Sequence, residues 1–137
     1  MKIKNIFDIA GRAMAAQMVR LNTISSNLAN AGATTGDPET VYKPIKPEFK
    51  TQYSENVKKN GISTVNVSKV VELQKEPFKI FDPNHPLADE DGYIYKAPIN
   101  VEEEMVDMMD ASRQYQNNIE VVTTLKALTL KTINLGK

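Results

Sequence analysis

Residues 100–135 read NVEEEMVDMMDASRQYQNNIEVVTTLKALTLKTINL, a run with neither Pro nor Gly, and this stretch decides the architecture. Asn100 can cap a helix, Glu103 stands where a capping box places its carboxylate, and Glu102, Glu103 and Glu104 all favour the positive end of a helix dipole. Val101, Met105, Met108, Ser112, Tyr115, Ile119 and Val122 then recur at three- and four-residue spacing. The stripe drifts onward to Leu125, Leu128, Thr132 and Leu135, as a helix of 3.6 residues per turn does against a straight partner. Lys126, Lys131 and Lys137 suit the negative pole. The spacing predicts one helix over 101–135, roughly 50 Å long at 1.5 Å per residue.

Working outward, all seven prolines (38, 44, 47, 77, 83, 86 and 98) lie between Asp37 and Asn100. Pro in a helix interior costs about 3 kcal/mol, so two Pro-free flanks around a Pro-punctuated middle read as helix, irregular β segment, helix. In the first flank Phe7, Met14, Leu21 and Leu28 recur every seven residues, and Ile3, Ala10, Gln17, Ile24 and Ala31 fill a second seam position. Asn5 is the expected N-cap and Gly32 the expected left-handed stop, giving a helix over 5–31. Gly11 costs that helix about 1 kcal/mol relative to Ala.

In the middle, Thr64–Leu73 alternates as a strand does, with Val65, Val67, Val71 and Leu73 on one side; Lys69 and Val70 spoil the pattern. Shorter strands are expected at 49–53, 78–81 and 93–95. Turns are expected at Thr35-Gly36-Asp37-Pro38, Asn60-Gly61, Asp82-Pro83-Asn84 and Asp91-Gly92. The fold class expected is α+β: two long terminal helices pairing as a coiled-coil-like layer, with a small antiparallel β module between them. The zones are 1–36, 37–100 and 101–137.

The composition excludes most chemistry. Seventeen basic and seventeen acidic residues leave no net field to draw the chain onto phosphate backbones, so nucleic acid is not an expected partner. With no Cys and a single His there is no thiolate nucleophile, no Cys-ligated zinc and little for a His-based triad. His85 among Asp82, Asp89, Glu90 and Asp91 fits no EF-hand order and reads as a solvated turn. No catalytic residue, metal or cofactor is expected. No window reaches the roughly 18 consecutive apolar residues of a membrane span, and nothing resembles a cleaved signal peptide.

Two helices of this length, with narrow apolar stripes, exceed what a module of this size can cover. They pair either with each other as an antiparallel hairpin or with the helices of neighbouring chains. The expected helix–helix interface comprises Phe7, Met14, Leu21, Ile24, Leu28, Met105, Met108, Tyr115, Ile119, Val122, Leu125 and Leu128. Off the seam the helices are polar yet uncharged, unlike a face meant only for solvent, where Lys and Glu are the usual helix formers. Ser26, Asn27, Asn30, Asn117 and Asn118 are accordingly expected to make polar assembly contacts. Residues 1–36 sum to +3 and residues 101–137 to −2, which favours association of the arms.

These residues also carry a resemblance. Asn5-Ile6-Phe7-Asp8-Ile9-Ala10-Gly11, Ser26-Asn27-Leu28-Ala29-Asn30-Ala31, Asn84-His85-Pro86-Leu87-Ala88-Asp89, Glu104-Met105-Val106, the run Ala111–Val121 and Leu130-Lys131-Thr132 resemble, from end to end, the proximal-rod proteins of the bacterial flagellar basal body. Where distal relatives read Ala-Asn-Ala-Asn-Thr, this chain reads Ala29-Asn30-Ala31-Gly32-Ala33-Thr34. The resemblance implies a structural subunit and no enzyme: a piece of a hollow drive shaft crossing the periplasm, with the C-terminal helix nearer the channel. It implies as partners further copies of itself, the rod proteins FlgB, FlgF and FlgG, the adaptor FliE and, during secretion, the flagellar type III export gate, which the chain would pass without losing an N-terminal peptide. A neutral lumen would suit cargo of varied charge, so Lys at Asn118 or Thr129 is expected to impair export. Subunits that stay soluble before export are expected to order their arms only on docking. The alternative is a soluble helical-hairpin adaptor or secretion chaperone that binds one partner.

Overall fold

The computed structural model describes residues 3–52 and 64–135. Helix α1 spans Ile3–Asn30 and helix α2 spans Val101–Leu135. Between them lie β1 (Thr34–Thr35), a 3-10 turn at Pro38–Thr40, β2 (Ile45–Gln52), β3 (Thr64–Glu72), β4 (Phe78–Phe81) and β5 (Tyr93–Lys96). The Asn60-Gly61 turn and Tyr53 lie outside the described residues.

The two helices pack against each other as an antiparallel hairpin. The side chains that join them fix the direction: Asn27 meets Glu104, and Arg20 meets Asp107 and Asp110. Continued at this register, the start of α1 lies opposite about residue 127, so the last two turns of α2 run past it.

The β segment is two sheets rather than one. Strands β1, β5 and β4 form a three-stranded antiparallel sheet in that order, while β2 and β3 form a separate antiparallel ribbon lying along α1. Thus α1 is covered by α2 and also by the ribbon. The small apolar cluster of Ala31, Val41, Ala97 and Ile99, flanked by Tyr42 and Tyr95, joins the end of α1 to the strand that leads into α2.

A bulge accounts for the imperfect alternation in 64–73. Glu48 pairs with Lys69, but Phe49 pairs with Val67, so Ser68 is the extra residue. The slip rephases β3, and Val65, Val67 and Val70 all come to share the face of Ile45, Pro47 and Phe49. The opposite face carries the Lys69–Glu48 ion pair at 3.6 Å. Pro47 is tolerated because a two-stranded ribbon is all edge.

Both predicted caps of α1 are corrected. Helix α1 begins at Ile3, which puts Asn5 inside it. Gly32 is not left-handed; the helix ends by tightening, with Ala31 N–H donating to the Leu28 carbonyl at 3.2 Å and Ala33 N–H to the Asn30 carbonyl at 3.0 Å. Gly92, at φ 79°, is the left-handed glycine among the described residues, in the turn before β5. A side chain at Gly11 would meet nothing within 4 Å, so no close contact inside the subunit calls for glycine there. Asn100 does cap α2, its Oδ1 accepting from Glu102 N–H at 3.1 Å and Glu103 N–H at 3.3 Å.

Candidate assembly surface

Asn27 lies in the last turn of α1, fourth from its end, and at 1% exposure it is the largest fully buried side chain among the described residues. All four hydrogen-bonding positions of its amide are used. Its Oδ1 accepts from Ile45 N–H at 2.9 Å and from the Tyr42 hydroxyl at 3.2 Å. Its Nδ2 donates to the Ile45 carbonyl at 3.0 Å and to Glu104 Oε1 at 3.2 Å. One side chain therefore plays the part of a neighbouring strand toward Ile45 and, in the same stroke, holds α2. The Tyr42 hydroxyl proton goes to Asn27, which leaves Ser26 to donate to Tyr42 across 3.1 Å. Glu104 Oε2 is buried with no hydrogen-bond partner among the described residues, so the carboxylate depends on Asn27.

The polar residues expected at contacts between chains thus divide. Ser26 and Asn27 are engaged inside the subunit, and Asn30 Nδ2 bonds back to the Ser26 carbonyl at 2.8 Å. Asn118, half-buried toward α1, donates to the Gln114 carbonyl at 2.9 Å, while Asn117 is exposed. A sequence pattern cannot separate these uses, because an Asn on a polar helix face has the same letter whether its partner is in the same chain or the next.

The seam between the helices mixes small and polar side chains with larger apolar ones, and its most buried positions on α2 are Glu104 and Ala111. The buried residues of α1 are Ala10, Ala16, Thr23, Ile24 and Asn27, and those of α2 are Glu104 and Ala111. On α2 the inward heptad positions are Glu104, Ala111, Asn118 and Leu125 together with Met108, Tyr115 and Val122. Of the residues expected at a helix–helix interface, Phe7, Met14, Leu21, Leu28, Met108, Tyr115, Val122 and Leu125 are half-buried and Ile24 is buried. Met105, Ile119 and Leu128 are not brought to this seam and are exposed: for Met105 and Ile119 the seam position lies one residue earlier than the apolar stripe suggests, at Glu104 and Asn118, and Leu128 lies past the start of α1. Arg20 adds ion pairs to Asp107 at 3.1 Å and Asp110 at 3.2 Å. Part-exposed pairs of this kind contribute up to about 1 kcal/mol each.

What the seam leaves out forms a second surface. Met105 (55% exposed), Val106 (66%), Met109 (64%), Ile119, Val121, Leu128, Leu130, Ile133 and Leu135 stand on α2 away from α1. Large apolar side chains this exposed are unusual on a helix whose partners are all in its own chain.

Hydrogen bonds hold the turn before β5. His85 Nδ1 accepts from Leu87 N–H at 3.1 Å. Asp89 accepts from Tyr93 N–H at 2.7 Å, Asp91 N–H at 3.0 Å and the Tyr95 hydroxyl at 3.2 Å. These bonds, led by the Tyr93 N–H and aided by Lys79, hold its pKa below the ordinary value of 3.8 against some desolvation. A depressed carboxylate stabilises the fold above its unfolded pKa, and that contribution is lost as pH falls through the folded value. Asp89→Asn is therefore expected to lower the urea midpoint at pH 7 and to flatten the loss of stability below about pH 4. An unchanged acid limb would contradict this. No group of His, Asp and Glu able to hold a metal, and no helix long and apolar enough to cross a membrane, occurs among the described residues.

Comparison with known proteins bears on what covers the outer face. Residues 7–36 match the family model described as flagella basal body rod protein, and residues 90–135 match that of the flagellar basal body rod FlgEFG protein C-terminal region. The first segment covers α1 from Phe7 onward together with β1, and the second covers β5 and α2. The chain is 43% identical over 137 residues to the flagellar basal-body rod protein FlgC of Salmonella typhimurium, covering 100% of both chains. It is 39% identical to that of Yersinia enterocolitica and 28% identical to one from Buchnera aphidicola, again over all of each chain.

Proposed function

Because the chain belongs to the FlgC family of flagellar basal-body rod proteins, we propose that it polymerises through α1 and α2 into the proximal rod, a hollow drive shaft that crosses the periplasm, transmits torque and lets exported axial proteins pass. Its neighbours in this reading are further copies of itself, FlgB, FlgF, FlgG and the adaptor FliE. It reaches them through the flagellar type III export gate with no signal peptide removed. Its role is structural, without chemistry.

The observation that supports this reading is the outer face of α2, where Met105, Val106, Met109 and Ile119 stand exposed on a helix already paired through its other side. A soluble adaptor would need one such face for one partner, and the relatives named as flagellar basal-body rod proteins favour the rod subunit over it. With α2 nearest the channel, the residues suited to a neutral lumen are the exposed Asn117 and Thr124. Asn118 is half-buried at a seam position, so Lys there tests the seam and not the lumen, whereas Thr129 lies past the start of α1 and bonds to its own helix.

The test is a Met105→Lys, Met109→Lys double variant in a strain lacking its own rod protein of this family. Both side chains are exposed, so unfolding free energy is expected to change by no more than about 0.5 kcal/mol per site. Swimming and recovery of the subunit in basal bodies are expected to be lost. A folded double variant that assembles and swims normally would contradict the reading.

A further inference from the structure

Charge along α2 is not mixed but divided. Residues 101–110 hold five carboxylates and no cation, whereas residues 111–137 hold four cations and one carboxylate. Within the first group, Asp107 and Asp110 are occupied by Arg20, and Glu104 lies buried against Asn27. Glu102 and Glu103 remain exposed, with no ion pair among the described residues. At the other end Lys126 and Lys131 are likewise exposed and unpaired among the described residues. Each charged end is also apolar. Val101, Met105, Val106 and Met109 flank the two glutamates; Leu128, Leu130 and Ile133 flank the two lysines, all exposed by 40% or more.

The two ends complement each other yet cannot meet in one chain. About 25 residues of straight helix hold them roughly 38 Å apart. We propose that they meet between copies: the basic, apolar tip of α2 in one subunit docks on the acidic, apolar base of α2 in a second copy, head to tail. This rests on the rod reading for the existence of assembly and goes beyond it in naming the surfaces and their polarity. The occupant follows from sign and from texture. Carboxylates complement Lys126 and Lys131, an apolar neighbour complements Leu128, Leu130 and Ile133 around them, and the base of another copy offers both. A two-fold antiparallel pair of α2 helices would match the ends too, but it closes at two copies. Head-to-tail docking leaves one free acidic and one free basic end at every stage, which is the condition for an open filament.

The test is a charge swap in the full chain, read by sedimentation and light scattering across protein concentration at about 50 mM and about 500 mM salt. The wild type is expected to form an open-ended series of oligomers that shrinks at high salt. Glu102→Lys with Glu103→Lys, and separately Lys126→Glu with Lys131→Glu, are each expected to weaken self-association by about tenfold or more. An equimolar mixture of the two is expected to restore it, as is the chain carrying all four changes. Because Lys in the first turn opposes the helix dipole, Glu102→Gln with Glu103→Gln serves as a milder pair, and thermal melts of every variant establish that it is folded. Folded variants that associate as the wild type does, a mixture that regains nothing, or a series that stops at dimers would each overturn the proposal. If those same variants still assemble and swim, head-to-tail docking fails while the rod reading stands. A wild type that stays monomeric in vitro and a Met105→Lys, Met109→Lys variant that swims would overturn both.

Discussion

Asn27→Ala is expected to lower the free energy of unfolding by about 3–4 kcal/mol, a large fraction of the stability of a chain this size. The side chain itself buries little apolar area; the effect comes from what it abandons. Ile45 loses a partner for its N–H and another for its carbonyl, both beside a buried helix face. Glu104, whose Oε2 already has no partner, loses the donor to Oε1 as well. Buried polar groups left unpaired cost about 1–3 kcal/mol each, and partial relaxation keeps the sum below the simple total. Asn27→Asp is expected to be no better at neutral pH, since a carboxylate cannot donate to the Ile45 carbonyl and would face Glu104. Ser26→Ala, which removes only the donor to Tyr42, is expected to cost about 1 kcal/mol or less. Urea unfolding of the three variants checks the order. An Asn27→Ala chain within 1 kcal/mol of the parent would mean that the network does not hold the hairpin.

Ala111→Leu is expected to destabilise the fold by about 2–3 kcal/mol, through crowding rather than loss of contacts. Ala111 is 0% exposed at an inward position of α2, on a seam where α1 also buries alanines, so three further carbons have no space unless the helices part. Separation would stretch the Asn27–Glu104 and Arg20–Asp107 bonds that fix the register. The same change at Met105 or Met109 to Leu, on the outer face, is expected to leave the melting temperature nearly unchanged. If Ala111→Leu melted like the parent, the seam would be looser than the burial indicates.

Local signals in the sequence were sufficient for much of the fold. Asn100 announces the start of α2 because a cap needs only its own helix turn, and the Pro-free flanks mark both helices because a helix interior excludes proline by local sterics. What escaped a sequence reading required knowledge of a partner. Asn27 looks like any Asn on a polar face until Ile45 and Glu104 are beside it. The bulge at Ser68 can be suspected from Lys69 and Val70, yet its position depends on the pairing with Glu48 and Phe49. Gly32 resembles a stop residue, but Ala33 and Thr34 lead straight into β1, and a tightened turn aims the chain there without a left-handed step. Strand β1 has only two residues and offers no periodicity to find.

The stripe on α2 is the most informative discrepancy. Its apolar residues are too many and too widely spread for one seam: Met108, Tyr115 and Val122 face α1, while Met105 and Ile119 lie one position to the side. A single-period reading merges the two sets. Separated, they describe a helix with one partner inside the subunit and another outside it.

This separation also bears on when the arms become ordered. Residues 20–27 and 104–111 carry the Asn27 network and the Arg20 ion pairs, whereas residues beyond about 127 have no α1 to pack on. We propose that ordering on docking is confined to that overhang.

Amide hydrogen exchange on dilute, monomeric protein tests this most directly. The account predicts slow exchange across residues 20–27 and 104–111 and fast exchange from about residue 128 to Leu135, with protection of the latter appearing only in oligomers. Uniformly fast exchange along both helices of the monomer would contradict it, since the hairpin would then be a product of assembly and not its starting point.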